Sequence, residues 1–273
     1  MTEPMTEPMT EPVLVTMGEG GVAEVTLNRP EKKNAWTMEV FDALAAAARG
    51  LKGRAGLRAV ILSGAGGCFS AGLDLSVMQG FAADLSAVKA QMAEADATGA
   101  NRFQAPVTGW AALPVPVIAA IEGVAFGAGM QLALGADFRI ATPGARFSVM
   151  EAKWGLIPDM GITQSLPKLM RADLAKELMM SGRVLDAEEA QSLGLLTRIA
   201  ADPLAAARTM AADLAARSPE ALAGSKALVD ETWTMPPGAG LRREAELQAG
   251  IIGGPNQIEM VMANMQERAP NFR

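Results

Sequence analysis

The hydrophobic rhythm of the chain changes once, near residue 160. Before that point short apolar runs alternate with Gly turns and amphipathic stretches; after it, apolar residues recur at helical spacing almost to the end. The run "VLVTMGEGGVAEVTLNRP" predicts two short strands around a Gly turn, closed by Pro30. Thr37 then stands where it can cap "MEVFDALAAAARGL", whose apolar positions keep helical spacing until Gly50 and Gly53 end it. "RAVILSG" is a continuous apolar run of the kind shown by a strand covered on both faces. An Ala-rich, charge-dotted stretch over 81–104 predicts helix, "VPVIAAIEG" a second buried strand, "GAGMQLALGAD" a Gly-initiated helix, and "FRIAT" and "ARFSV" two more strands. Segment 117–135 approaches a membrane span in length. It contains Glu122, Gln131 and four glycines, so a buried strand, turn and helix is the better reading.

Beyond residue 160 the pattern predicts helices over 162–170, 172–181, 187–193, 204–217, 219–229, 241–251 and 256–266, separated by Gly or Pro. The implied architecture is α/β: a core of strand and helix units over 13–200, then a helical C-terminal section over 201–273. That section is too thin to bury its own apolar face and is expected to pack on a neighbour. Residues 1–12, the repeat "MTEPMTEPMTEP", are acidic and punctuated by Pro, with neither the basic end nor the apolar centre of a secretory signal. They read as a disordered leader.

Composition narrows the chemistry. A chain of 273 residues, 50% hydrophobic and 20% charged, has enough apolar mass for one sizeable core. Its net charge of -6 and few aromatic residues argue against a nucleic-acid footprint. One cysteine, Cys68, leaves no internal disulfide framework and fits a reducing, cytoplasmic setting. The chain has no His, which excludes Ser-His-Asp and Cys-His machinery and the common His-containing metal sites, and it has no Tyr. Proton transfer therefore falls to carboxylates, Lys, Cys or water.

Two Gly-containing turns invite nucleotide readings and fail them. "GAGGCF" carries Phe69, and "GAGMQL" Leu132, where a dinucleotide fingerprint needs its third Gly. "CFSAG" lacks the first Gly of a nucleophile elbow and has no His to serve Ser70. What remains is a pair of bare-backbone turns, Ala71-Gly72 and Gly127-Ala128-Gly129, each after a buried strand and before a helical segment. If the N–H groups of Ala71 and Ala128 face one cavity, they form an oxyanion hole, reinforced by the positive end of the helix starting near Gly127. The plainer alternative is that these glycines only let helix and sheet approach closely.

"FSAGLDL", "IEGVAFGAGMQLALGADFRIA" and "ARFSVMEAKWGLIPDMGITQSLPKL" resemble, in order and spacing, the enoyl-CoA hydratase/isomerase (crotonase) superfamily. "LNRPEKKNAW", "SGRVLDAEEAQSLGLLTRI" and "ERAPNF" extend the likeness from about residue 13 to the end. The resemblance implies a crotonase-like spiral of β-β-α units with a helical C-terminal trimerisation section, assembled as a homotrimer or a dimer of trimers. It implies an acyl-CoA thioester substrate, with Ala71 and Ala128 holding the thioester oxygen. No metal or prosthetic group is implied, since coenzyme A is carried by the substrate.

Hydratases of this family place two glutamates around a water. Glu151 matches the second, but the first position is occupied by Gln131. An amide can hydrogen-bond water without taking its proton. A double-bond shift needs only one base once the enolate is held, which slightly favours isomerisation, with Glu151 as base. Asp159 resembles the second carboxylate of dienoyl-CoA isomerases; it can equally cap a helix near Gly161, and Glu151 can pair with Lys153. Lys32 and Lys33, with the chain at Leu73 and Asp74, are the expected coenzyme A contacts, and Lys226, Arg242, Arg243 and Arg268 are further cations for its phosphates. The alternatives are a hydratase in which Gln131 orients the water, and a non-catalytic acyl-CoA binding protein.

Overall fold

The computed structural model describes residues 11–272, so most of the expected leader lies outside the described residues. Strands β1 (Val13–Met17) and β2 (Val22–Leu27) form an antiparallel hairpin. Ala23, Val25 and Leu27 of β2 are buried, alternating with half-buried Val22, Glu24 and Thr26, the period of a strand with one covered face. Helix α1 (Met38–Leu51) buries Val40, Phe41, Leu44, Ala45, Ala48 and Leu51 along one stripe. Thr37 occupies its N-cap position without making the capping bond. Strand β3 (Ala59–Gly64) is buried up to its final Gly, as its continuous apolar run predicts.

The expected helical stretch over 81–104 is broken. It contains the end of α2 (Leu75–Ala83), α3 (Leu85–Ala93) and an irregular segment that leads to α4 (Ala105–Ala111). Asp84 caps α3 by accepting the Ala87 N–H, and Asp96 and Asn101 accept N–H groups at 98, 100, 103 and 104. Short polar side chains here compete with the helix for its own donors. Segment 117–135 is strand, turn and helix as read: β4 (Val117–Ile121), β5 (Val124–Phe126) and α5 (Ala128–Leu134).

Strands β6 (Phe138–Ala141) and β7 (Arg146–Ser148) follow, then α6 (Ile162–Ser165), which turns into a 3-10 helix where Pro167 removes a donor. Next come α7 (Ala172–Ser181), β8 (Leu185–Asp186), α8 (Ala187–Ser192) and β9 (Arg198–Ile199). Four helices close the chain: α9 (Pro203–Ala215), α10 (Pro219–Thr232), α11 (Pro237–Ile251) and α12 (Pro255–Met265).

The main sheet has the order β1-β2-β3-β4-β6-β9, parallel except for the β1-β2 hairpin, and a smaller sheet has the order β5-β7-β8. The larger core lies between the main sheet and α1, α4 and α5. Helix α9 covers the other face, where Ala207 and Ala211 meet Ala59, Ile61, Ile118, Ala120 and Ile140. Small residues on α9 permit that close approach. Helices α10 and α11 bury none of their residues, and Trp233, Leu241, Ile252 and Met265 are exposed. No described helix is long and apolar enough to cross a membrane.

Among the described residues two ion pairs tie α10 to earlier parts of the chain, Lys168 to Asp230 at 3.0 Å and, more deeply, Lys226 to Asp137. Lys226 Nζ lies 2.8 Å from Asp137 Oδ2 and 3.2 Å from the Val115 carbonyl, and the same carboxylate oxygen accepts the Val117 N–H at 2.8 Å. Lys226 is thus committed to structure rather than to a phosphate. Replacing it by Met strands a mostly buried carboxylate and is expected to cost about 2 kcal/mol. Thermal melts at neutral pH check this as a fall of about 5 °C.

Candidate active site

The loop after β3 runs along β5 as an extra short strand. Ser70 donates its N–H to the Val124 carbonyl at 2.8 Å and accepts the Phe126 N–H at 3.0 Å. Its hydroxyl donates to the Asn34 carbonyl at 2.8 Å and accepts the Gly72 N–H at 3.1 Å. The Ala71 N–H is also occupied, donating to the Lys33 carbonyl at 2.9 Å.

That bond corrects the expected donor pair. An N–H satisfied by backbone is not free to hold a thioester oxygen, so Ala71 is not one of the hole's donors. The free group lies two residues on. Trp36 donates to the Gly72 carbonyl at 2.8 Å and accepts the Asp74 N–H at 3.0 Å, and this bridge leaves the Leu73 N–H with no acceptor among the described residues. Leu73, expected near the adenine, is therefore the first donor candidate. Lys33 and Asn34 both adopt left-handed φ, 49° and 53°, and this turn delivers the Lys33 carbonyl to Ala71.

The second turn leads into a helix, as its glycines predict. Gly127, at φ 50° and ψ -117°, gives its N–H to the Ser148 carbonyl at 3.0 Å, and Ala128 opens α5 with an N–H that has no acceptor among the described residues. The two turns meet at Gly72. A Cβ there, at φ +95°, would lie 2.7 Å from the Phe126 carbonyl oxygen and 3.7 Å from the Ala128 nitrogen. Close approach requires bare backbone here and again at Gly129, where a Cβ would lie 2.6 Å from Ser70 Cβ.

Glu151 opens the 3-10 turn Glu151–Trp154 directly after β7, and that turn ends at Gly155 in the left-handed region. A Cβ on Gly127 would lie 3.5 Å from Glu151 Oε1, which places the carboxylate beside the Ala128 donor. Oε1 accepts Gln131 Nε2 at 2.7 Å, and Oε2 is buried without a partner among the described residues. Gln131, 1% exposed and one turn along α5 from Ala128, accepts the Met160 N–H on its own Oε1 at 2.8 Å.

Burial pushes the Glu151 carboxyl above the usual range. Its own backbone N–H and the Gln131 amide pull it down, and the nearby Asp159 charge pushes it up again. Burial likewise raises Asp159. Asp159 does not cap α6: Gly161 holds that position and receives no side-chain cap. Nor does Glu151 pair with Lys153, whose ammonium sits 5.8 Å from the centre of the Trp154 ring. A pair of interacting carboxyls with raised pKa, one of them beside the Gly127-Ala128 turn, is suited to acid-base chemistry.

The expected coenzyme A residues separate. Lys32 and Lys33 are exposed and make no ion pair among the described residues, so both ammonium groups are free for phosphate. Asp74 instead caps α2, accepting the Ser76 N–H at 3.0 Å and hydroxyl at 2.8 Å, and pairs with Arg29 at 3.3 Å. Arg243 is held by Glu231 and Glu246, and Arg268 by Glu259. A cleft of about 1010 Å³ between α4 and α10 is lined by Thr108, Gly161 and Lys226 among others, but not by Leu73, Ala128, Glu151 or Asp159. The reacting groups stand outside it.

Residues 17–273 match the model of the enoyl-CoA hydratase/isomerase family. The chain belongs to that family. Carnitinyl-CoA dehydratase of Salmonella typhi is 34% identical over 261 residues, covering 93% of this chain and 95% of its own. Mitochondrial methylglutaconyl-CoA hydratase of Mus musculus is 31% identical, covering 93% of this chain and 80% of its own. Among solved structures, an enoyl-CoA hydratase from Polaromonas sp. JS666 superposes with a TM-score of 0.85 at 32% identity, over 96% of this chain and 99% of the other. Enoyl-CoA hydratase from Bacillus anthracis gives 0.87 at 29% identity, over 96% and 98%. This enoyl-CoA hydratase/isomerase family member is an enzyme with the crotonase fold, and members of the family generally work without a cofactor.

Proposed function

We propose that the enzyme acts on unsaturated acyl-CoA thioesters by holding the thioester oxygen on the Leu73 and Ala128 N–H groups and moving protons with Glu151. The observation that carries this is the Glu151 carboxylate beside the Gly127-Ala128 turn, which in turn meets the Gly72-Leu73 turn, with the Leu73 and Ala128 N–H groups lacking an acceptor among the described residues. Negative charge builds on the thioester oxygen as a proton leaves the adjacent carbon, and fixed donors stabilise that charge by roughly 3 kcal/mol each. The raised pKa of Glu151 brings its proton affinity closer to that of its task. Lys32 and Lys33 are assigned to the phosphates of coenzyme A.

Isomerisation is slightly favoured over hydration. Gln131 cannot take a proton from water, whereas Glu151 alone can move one from one carbon to another, with Asp159 as a second acid at the site. Addition of water is the second reading, favoured by relatives named as a dehydratase and a hydratase. Product analysis by proton NMR decides between them: a 3-enoyl-CoA converted to its 2-enoyl isomer, with no 3-hydroxyacyl-CoA, supports the first, and the 3-hydroxy product from a 2-enoyl-CoA supports the second. Helices α10 to α12, with their exposed apolar residues, are assigned to contacts between copies in a trimer or dimer of trimers.

A further inference from the structure

We infer that Gln131 is a positioning residue that gives the two oxygens of Glu151 different tasks, Oε1 being held in place and Oε2 carrying the proton. The inference rests on the acyl-CoA reading for its chemistry and on geometry for its substance. A side-chain amide can be read in either orientation, but here only one is consistent. The Met160 N–H, 2.8 Å from one end, needs an acceptor, so that end is the carbonyl and the amino end faces Glu151 Oε1 at 2.7 Å. The reverse orientation would set oxygen against carboxylate oxygen and N–H against N–H. Both heteroatoms of Gln131 are therefore engaged, inside a helix whose residues are all buried, and the side chain is a brace between Glu151 and Met160 rather than a holder of water.

The brace makes the carboxylate asymmetric. Oε1 has a strong, nearly buried donor; Oε2 is buried with none among the described residues. An oxygen that receives no hydrogen bond is the more basic of the two and gains most from a proton. In the first step the carbon–hydrogen bond next to the thioester breaks and its proton passes to Oε2. The electron pair it leaves becomes the enolate, with charge on the thioester oxygen. In the second step the enolate electrons re-form the carbonyl as the double bond shifts, and Oε2 returns the proton to the distal carbon. No atom is gained or lost. Because Met160 follows Asp159 directly, the same amide also fixes the strand of loop that carries the second acid.

The test pairs titration with kinetics. Glu151 is followed by NMR in ligand-free protein carrying glutamate labelled with carbon-13 at the carboxyl, its signal assigned by loss in Glu151→Gln. In Gln131→Leu, which removes the donor, Glu151 is expected to titrate about one pH unit higher. In Gln131→Glu two carboxyls in contact are expected to titrate in two separated steps. In both, kcat for a 3-enoyl-CoA is expected to fall by about 10²-fold with KM within a few-fold, the loss expected of a misaimed base. If Gln131→Leu does not fold, Gln131→Glu, of the same size and able to accept the Met160 N–H, carries the test. An unmoved Glu151 titration in a folded variant, or an unchanged kcat, overturns the brace. If wild type turns over no unsaturated acyl-CoA, the functional reading fails, and the NMR titration still decides whether Gln131 governs Glu151.

Discussion

Replacing Glu151 by Gln is expected to lower kcat by at least about 10³-fold while leaving acyl-CoA binding within a few-fold and raising stability. The substitution keeps shape and removes the carboxylate that lies beside the Gly127-Ala128 turn. An amide in that place can still accept the Gln131 N–H but cannot take a proton from carbon. The stability gain follows from burial. A carboxyl whose folded pKa is raised binds its proton more tightly in the folded than in the unfolded chain, so the wild type gains stability as pH falls through that raised value and is penalised above it. The Glu151→Gln variant, neutral at every pH, carries no such penalty and is expected to melt a few degrees above wild type near neutral pH. The gap should narrow as the pH is lowered through the raised carboxyl pKa, below which the wild-type side chain is neutral too. Calorimetric melts across that range, beside steady-state kinetics and a binding titration with the same acyl-CoA, check all three parts.

Gly72→Ala should be nearly as damaging for a different reason. Its φ of +95° is strained for any residue with a Cβ, and that Cβ would stand 2.7 Å from the Phe126 carbonyl oxygen, which is backbone and cannot swing aside. The chain must shift where the two turns meet, moving the Leu73 N–H relative to that of Ala128. Losing one aligned donor is expected to lower kcat by about 10²- to 10³-fold, and the strain to cost about 2 to 3 kcal/mol. Gly67→Ala is the control. It has φ +69° but no atom within 4 Å of its would-be Cβ, so it should lose about 1 kcal/mol and keep its activity. Equal kinetic damage in the two variants would show that the meeting of the turns at Gly72 is not what matters.

The parts of the fold readable from the sequence are those set by local period. The apolar run of β3, the Gly-initiated α5 and helix α7, whose predicted and observed limits agree at 172–181, needed no knowledge of their neighbours. Segment 81–104 misled because its Ala content favours helix while Asp84, Asp96 and Asn101 divert backbone donors. Strands β8 and β9, two residues each, exist only because β7 and β6 are there to pair with them.

The site divides in the same way. Glu151, Gln131 and the glycine turns could be picked out because their spacing and wording are local. The identity of the free donor could not, since the choice between Ala71 and Leu73 is made by the Lys33 carbonyl, which arrives from a turn far earlier in the chain. Nor could the sequence show that the Gln131 amide is consumed by Met160, a contact between residues 29 apart. Hydrogen-bond satisfaction is a tertiary property, and here it separates a donor from a structural N–H.

Glu151 and the two backbone donors are expected to create an enolate from a bound acyl-CoA. Incorporation of deuterium beside the thioester carbonyl, followed by proton NMR of 3-enoyl-CoA and 2-enoyl-CoA in deuterated buffer, tests it most directly. Wild type is expected to exchange or transfer that proton, and Glu151→Gln and Gly72→Ala to bind the same compounds with exchange reduced by about 10²-fold or more. Tight binding by wild type with neither exchange nor product would contradict the account and leave the protein as an acyl-CoA binder.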